Sequence, residues 1–147
     1  MQKRININDV EPQAIKAMFS LESYLAQAGI SKTLKELIKI RASQINGCAY
    51  CLDMHTKDAL KNGETNQRIF ILSAWKEAAE FFTEEEQAAL AMTEEITLIH
   101  QQGLSEETYQ KASKVFSENQ IAQIIMAIVT INAWNRIAVS THLKIGE

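Results

Sequence analysis

The sequence predicts an all-α fold, a single-domain helical bundle of about seven helices over residues 1–147. Three observations carry that prediction. Helix start and stop signals recur along the whole chain. Apolar residues repeat at helical spacing, as at Leu34, Leu37, Ile38 and Ile45. The period-two alternation of β-branched residues that marks strands is absent.

Each element follows from its punctuation. Asp9 to Pro12 begins the first helix, with proline in the first turn where a backbone N–H has no partner to lose, and Gly29 ends it. Ser31 or Thr33 begins the second, which runs to the Asn46-Gly47 turn. Cys48 opens the third, ended by Asn62-Gly63, and Thr65 opens a fourth that reaches about Ala79. Thr83-Glu84-Glu85-Glu86 has the capping-box pattern and Gly103 closes that fifth helix. Ser105-Glu106-Glu107 starts the sixth. Ser117-Glu118-Asn119-Gln120, a second capping box, starts the last helix, which runs to about Ser140. Ile121, Ile124, Ile125, Met126, Ile128, Val129, Ile131 and Trp134 cover nearly its whole circumference. A helix apolar all round is either central or completed by another subunit.

Composition narrows the function classes. The chain is 46% hydrophobic and 22% charged with a formal net charge of −3, ordinary values for a globular protein. Lys and Arg are spread out, so no basic block points to nucleic acid or to a membrane surface. The polar start Met1-Gln2-Lys3-Arg4-Ile5-Asn6 does not suit a secretory signal. The most apolar run, Ile124 to Ile131, falls well short of the ~20 residues that span a bilayer. The expected location is therefore the cytoplasm, where two cysteines at CxxC spacing read as catalytic or metal-binding rather than as a structural disulfide.

Cys48 and Cys51 are the two cysteines of the chain, and His55 follows one helical turn later. The Gly47 turn puts Cys48 at a helix N-terminus, where the macrodipole favours a thiolate. His55 lies four residues after Cys51, on the same face and about 6 Å along the axis, with Cys48 about 10 Å away. The histidine therefore serves Cys51, directly or through a water, while the dipole argument favours Cys48. Glu36 joins by a hairpin argument. If the second and third helices fold back at Gly47, Glu36 stands about 16 Å and His55 about 12 Å from the turn, level within one turn across the 8–10 Å typical of packed helices. A carboxylate on one imidazole nitrogen fixes the tautomer and strengthens the other nitrogen as a base. The predicted relay runs from Glu36 to His55 to Cys51.

Glu36, eleven intervening residues, then Cys48-x-x-Cys51-x-x-x-His55 resembles the signature of the AhpD-like alkylhydroperoxidases, within the carboxymuconolactone decarboxylase superfamily. The string from Ile40 to His55 fits closely, as do Asp58-Ala59, Gly63-Glu64-Thr65, Ala74-Trp75 and Thr83-Glu84, and Asn132-Ala133-Trp134-Asn135-Arg136 is similar to small single-unit members. The resemblance implies an all-helical fold and reduction of alkyl hydroperoxides without metal, haem or flavin. It implies catalytic roles for Glu36, Cys48, Cys51 and His55, one thiol attacking and the other resolving; with the histidine serving Cys51, Cys51 is read as the peroxidatic thiol and Cys48 as the resolving one. It also implies reduction by an external dithiol, a lipoyl group or a thioredoxin-like protein, and assembly as a homo-trimer or hexamer. Some members carry a histidine between the cysteines; here Tyr50 stands there, which removes a possible second proton donor. The superfamily's decarboxylases lack the cysteine pair, which argues against lactone decarboxylation.

Other readings of the same residues stand beside this one. Cys48, Cys51 and His55 supply three zinc ligands, with Asp53, His100, His142 or water as the fourth. Glu36 closes a capping box with Thr33. A thiol–disulfide oxidoreductase that uses no peroxide needs the same dithiol. Trp75, Phe81, Phe82 and Trp134 are expected in the core or an interface.

Overall fold

Side-chain caps set the helix boundaries in the computed structural model, which describes residues 2–146. The elements are α1 (Ile7–Val10), α2 (Pro12–Gln27), α3 (Lys32–Asn46), α4 (Ala49–Lys61), α5 (Asn66–Ile71), a 3-10 segment (Leu72–Phe81), α6 (Glu84–Thr97), α7 (Glu106–Val115) and α8 (Glu118–Thr141). Among the described residues there is no strand. Ser31, Thr65 and Ser105 each accept a backbone N–H from the first turn of the helix that follows. Thr83 with Glu86 and Ser117 with Gln120 close the two predicted capping boxes. Pro12 occupies the first turn of α2.

Helix α3 is the hub. It packs against α4, α6 and α8, and its Leu37, Ile38, Ile40 and Ala42 are fully buried. One cluster joins Leu34 and Ile38 to Met92 of α6 and to Ile124, Ala127 and Ile128 of α8. A second joins Leu37 and Ile40 to Ala59, Leu72, Trp75, Phe82 and Leu90. Each large aliphatic side chain removed from water in this way contributes about 1.5–3 kcal/mol.

Three expectations are corrected. The first helix is preceded by a separate short turn, α1. The fourth is not continuous: α5 ends at Ile71, and Ala74 (φ −117°, ψ 27°) and Ala78 (φ −126°, ψ 39°) leave helical geometry. The alanine-rich sequence favours helix locally, but the looser path turns Leu72 and Trp75 into the core, and that tertiary gain prevails. The fifth helix stops at Thr97 and not at Gly103. There the Glu95 carboxylate accepts the Ser105 N–H (2.7 Å) and the Ser105 and Thr108 hydroxyls, which folds the chain back into α7.

The 24-residue α8 is long and apolar enough, by length and composition, to cross a membrane. An unbroken apolar run understates it. Its composition is accounted for by packing against α2, α3, α4, α6 and α7, although Val129 and Val139 remain 44% and 45% exposed.

Gly47 sits in the left-handed region (φ 65°, ψ 35°) between α3 and α4, and a Cβ there would meet no atom within 4 Å. The penalty for a side chain is therefore backbone strain alone. Gly47→Ala is expected to lower unfolding free energy by about 1 kcal/mol, measured by urea denaturation; an unchanged or raised midpoint contradicts this account of the turn.

Candidate active site

The Gly47 turn reverses the chain so that α3 and α4 lie side by side. The Cys48 N–H closes the turn on the Ser43 carbonyl at 3.0 Å. Cys48 is also the N-cap of α4: its Sγ accepts the Cys51 N–H at 3.3 Å. The two cysteines are paired as a disulfide, with Cα atoms 5.3 Å apart. Both are almost fully buried, in a cluster with Ala42, Ile131 and Ala138 that is flanked by Tyr50 and Trp134.

Across the hairpin, His55 Nδ1 lies 3.0 Å from Glu36 Oε2. The exposures are 7% and 8%, so this is a buried carboxylate–imidazole pair. Burial pushes the Glu36 carboxyl up, but the His55 hydrogen bond and the Lys39 charge outweigh it and hold the group below its ordinary value. An ionised carboxylate accepts only, so Nδ1–H donates and Nε2 is the nitrogen left for the dithiol. Lys39 Nζ lies 3.4 Å from Glu36 Oε1 and 3.9 Å from Glu22, which accepts the Trp134 indole N–H at 3.0 Å. A line of alternating charge thus ties α2, α3 and α4 together behind the dithiol.

The structure brings all four predicted site residues onto this one hairpin. The first link of the relay, Glu36 to His55, is a hydrogen bond. The second is not: in this disulfide-paired state His55 has no hydrogen bond to either sulfur among the described residues. The capping-box reading of Glu36 is overturned, because Ser31 and not Thr33 caps α3 and Glu36 faces His55. The zinc quartet is not assembled either. The two sulfurs are bonded to each other, Asp53 pairs with Lys57 (2.8 Å), and His100 and His142 are exposed beyond the ends of α6 and α8. The grouping whose atoms suit a metal is Glu36, His55 and Asp58, mutually within 4.8 Å. Lys39 already neutralises one of its carboxylates.

A cleft of about 630 Å³ lies elsewhere, between the 3-10 segment, α6 and α7. Its Glu94 is already engaged by Arg41, Trp75 and Lys76. None of the four site residues lines it, and the dithiol hairpin is the better candidate on chemical grounds: it combines a paired dithiol with a buried carboxylate–imidazole pair. Sequence reasoning missed Lys39, Glu22 and Asp58. Lys39 and Asp58 each follow a site residue by three positions, the spacing that puts side chains on one helix face. Nothing in the sequence placed Glu22, which comes from a separate helix.

Residues 12–95 match the carboxymuconolactone decarboxylase family. The uncharacterized protein YdfG of Bacillus subtilis is 44% identical over 140 residues, 95% of each chain. A crystal structure from Agrobacterium tumefaciens, of a protein of unknown function assigned provisionally to the AhpD antioxidant-defence proteins, superposes with a TM-score of 0.94. It is 38% identical and the match covers 99% of both chains. The debrominase Bmp8 shares the fold, with a TM-score of 0.81 at 22% identity over 93% of this chain and 73% of its own.

The Glu36 carboxyl titrates below its ordinary value of 4.5 in the folded protein. Its ionised form therefore contributes stability that is complete above that value and is lost as pH falls through the lower folded value. The unfolding free energy of the wild type relative to Glu36→Gln should shrink on acidification as the pH falls through and below 4.5. Urea titrations across that range check this; a gap that does not narrow removes the ionised carboxylate from the account.

Proposed function

The chain belongs to the carboxymuconolactone decarboxylase family, as an AhpD-like member, and from that premise we propose that it is a thiol-dependent peroxidase that reduces alkyl hydroperoxides through Cys48 and Cys51. The observation that carries the reading is a buried disulfide one helical turn from a carboxylate-bound imidazole. The provisional antioxidant-defence assignment of the Agrobacterium protein supports it.

In the reduced enzyme, His55 Nε2 takes the Cys51 proton. The Cys51 sulfur attacks one peroxide oxygen, an S–O bond forms and the O–O bond breaks. Sulfur is oxidised by two electrons to a sulfenic acid, and the departing alkoxide takes the proton back from His55 as an alcohol. Cys48 then attacks the Cys51 sulfur and water leaves, which gives the disulfide present here. An external dithiol, a lipoyl group or a thioredoxin-like protein, returns two electrons and two protons. The N-cap geometry suits that last step. When the reductant attacks Cys51, Cys48 departs as a thiolate into the hydrogen bond from the Cys51 N–H, and a stabilised thiolate leaves faster. The helix dipole and the histidine thus serve different cysteines. Glu36 positions His55 and stabilises its charged form. We further propose that the chain is cytoplasmic and self-associates as a trimer or hexamer, an assembly to which the exposed Val129 and Val139 of α8 offer apolar surface.

A second reading, thiol–disulfide exchange without peroxide, is favoured by one observation: the sulfurs are paired while the imidazole hydrogen-bonds to neither. Anaerobic stopped-flow oxidation of the reduced protein separates the two. Organic hydroperoxides should oxidise it at least ~100-fold faster than free cysteine; a rate equal to free cysteine eliminates the peroxidase. Cys51→Ser should abolish the reaction, and Cys48→Ser should leave a sulfenic acid on Cys51 that a dimedone probe captures. The reverse pattern exchanges the two roles.

Stoichiometric zinc retained after dialysis of protein purified under reducing conditions would argue instead for a metal-binding module. The expected outcome is protein without bound zinc and with two titratable thiols.

A further inference from the structure

The turn that carries Cys48 is stitched to α8 by amides that take no part in the chemistry above. Asn46, the last residue of α3, donates from Nδ2 to Asn135 Oδ1 at 2.9 Å and to Asn132 Oδ1 at 3.0 Å. Asn135 Nδ2 donates to Ser43 Oγ at 3.0 Å, and Ser43 Oγ donates to the Lys39 carbonyl at 2.7 Å. The Ser43 carbonyl in turn receives the Cys48 N–H. Asn132 is held from the other side, by Arg136 on its Oδ1 (2.9 Å) and through its own Nδ2 on Thr97 (3.0 Å).

The direction of each bond in this chain is determined. The Ser43 hydroxyl spends its one proton on the Lys39 carbonyl, so it can only accept from Asn135. The Asn135 oxygen is then the atom that faces Asn46. The placement is as telling. Asn135 is 1% exposed and lies on the same face of α8 as Ile131 and Ala138, the two residues that wall the disulfide. An apolar side chain would fill that position. An amide bonded at both its nitrogen and its oxygen instead fixes one orientation of α8 against the turn, because burial of an amide is unfavourable unless its hydrogen bonds are made.

We infer that Asn46 and Asn135, braced by Asn132 and Ser43, are positioning residues that hold the redox turn so that the Cys48 and Cys51 sulfurs stay within bonding reach after reduction. Their effect is on the closing of the disulfide and not on the thiolate's attack. The inference rests on the reading of Cys48 and Cys51 as a cycling redox pair, and it does not depend on the oxidant.

The test equilibrates the full-length protein with reduced and oxidised glutathione and counts closed disulfide by alkylation and mass spectrometry. Asn46→Ala and Asn135→Ala should each lower the equilibrium constant for closure about tenfold, as an orientation effect of this kind does. The double variant should fall by less than the product of the two single effects, since the singles share the Asn46–Asn135 hydrogen bond while each also breaks one of its own. Ile124→Val, in the separate cluster between α3, α6 and α8, should lower stability and leave the constant unchanged. If Asn135→Ala does not fold, Asn46→Ala and Asn132→Ala carry the test. Variants with the wild-type constant, or a control that shifts it equally, overturn the inference. A wild-type pair that glutathione neither opens nor closes removes the redox reading itself, a separate and recognisable result.

Discussion

The hydrogen bond from His55 to Glu36 across the α3–α4 hairpin is the contact on which the proposed chemistry depends. It can form only because Gly47 takes a left-handed conformation, which reverses the chain within one residue and starts α4 on Cys48. The same turn therefore sets two things at once. It places the first sulfur at a helix N-terminus, and it sets the register that brings position 36 level with position 55.

That contact joins two groups that are each costly to bury alone. A carboxylate withdrawn from water needs compensating hydrogen bonds and charge. Here His55 takes one oxygen and Lys39 the other. Lys39 is in turn shared with Glu22, so the helix that shields this side of the site is held by the electrostatics of the site itself. The dithiol is treated differently. Its sulfurs lie against Ala42, Ile131 and Ala138, an apolar wall that keeps water from them.

Helix α8 shows why a polar residue can matter in an apolar element. Most of its length is explained by apolar packing with its neighbours. Asn132 and Asn135 interrupt that pattern. Their bonds reach the last turn of α3, the point where a small rotation would move Cys48 most.

Much of this was legible in the sequence. Caps at Thr65, Thr83, Ser105 and Ser117, a helix start at Ser31 or Thr33, the glycine at position 47, and the positions of Glu36 and His55 relative to it all follow from local rules. Backbone hydrogen-bond satisfaction and helical rise depend on a few neighbouring residues, so a linear string records them. The non-helical breaks at Ala74 and Ala78, the end of α6 at Thr97, the approach of Lys39, Glu22 and Asp58 to the acid–base pair, and the Asn46–Asn135 bond were decided by the tertiary structure. Each depends on which side chain from a distant segment arrives at a given surface, and that is settled by packing around α3 and not by any pattern of neighbouring residues. The sequence determined that a dithiol, an imidazole and a carboxylate would share one hairpin. The packed helices decided what presses on that hairpin from behind, because only they set the distances between groups far apart along the chain.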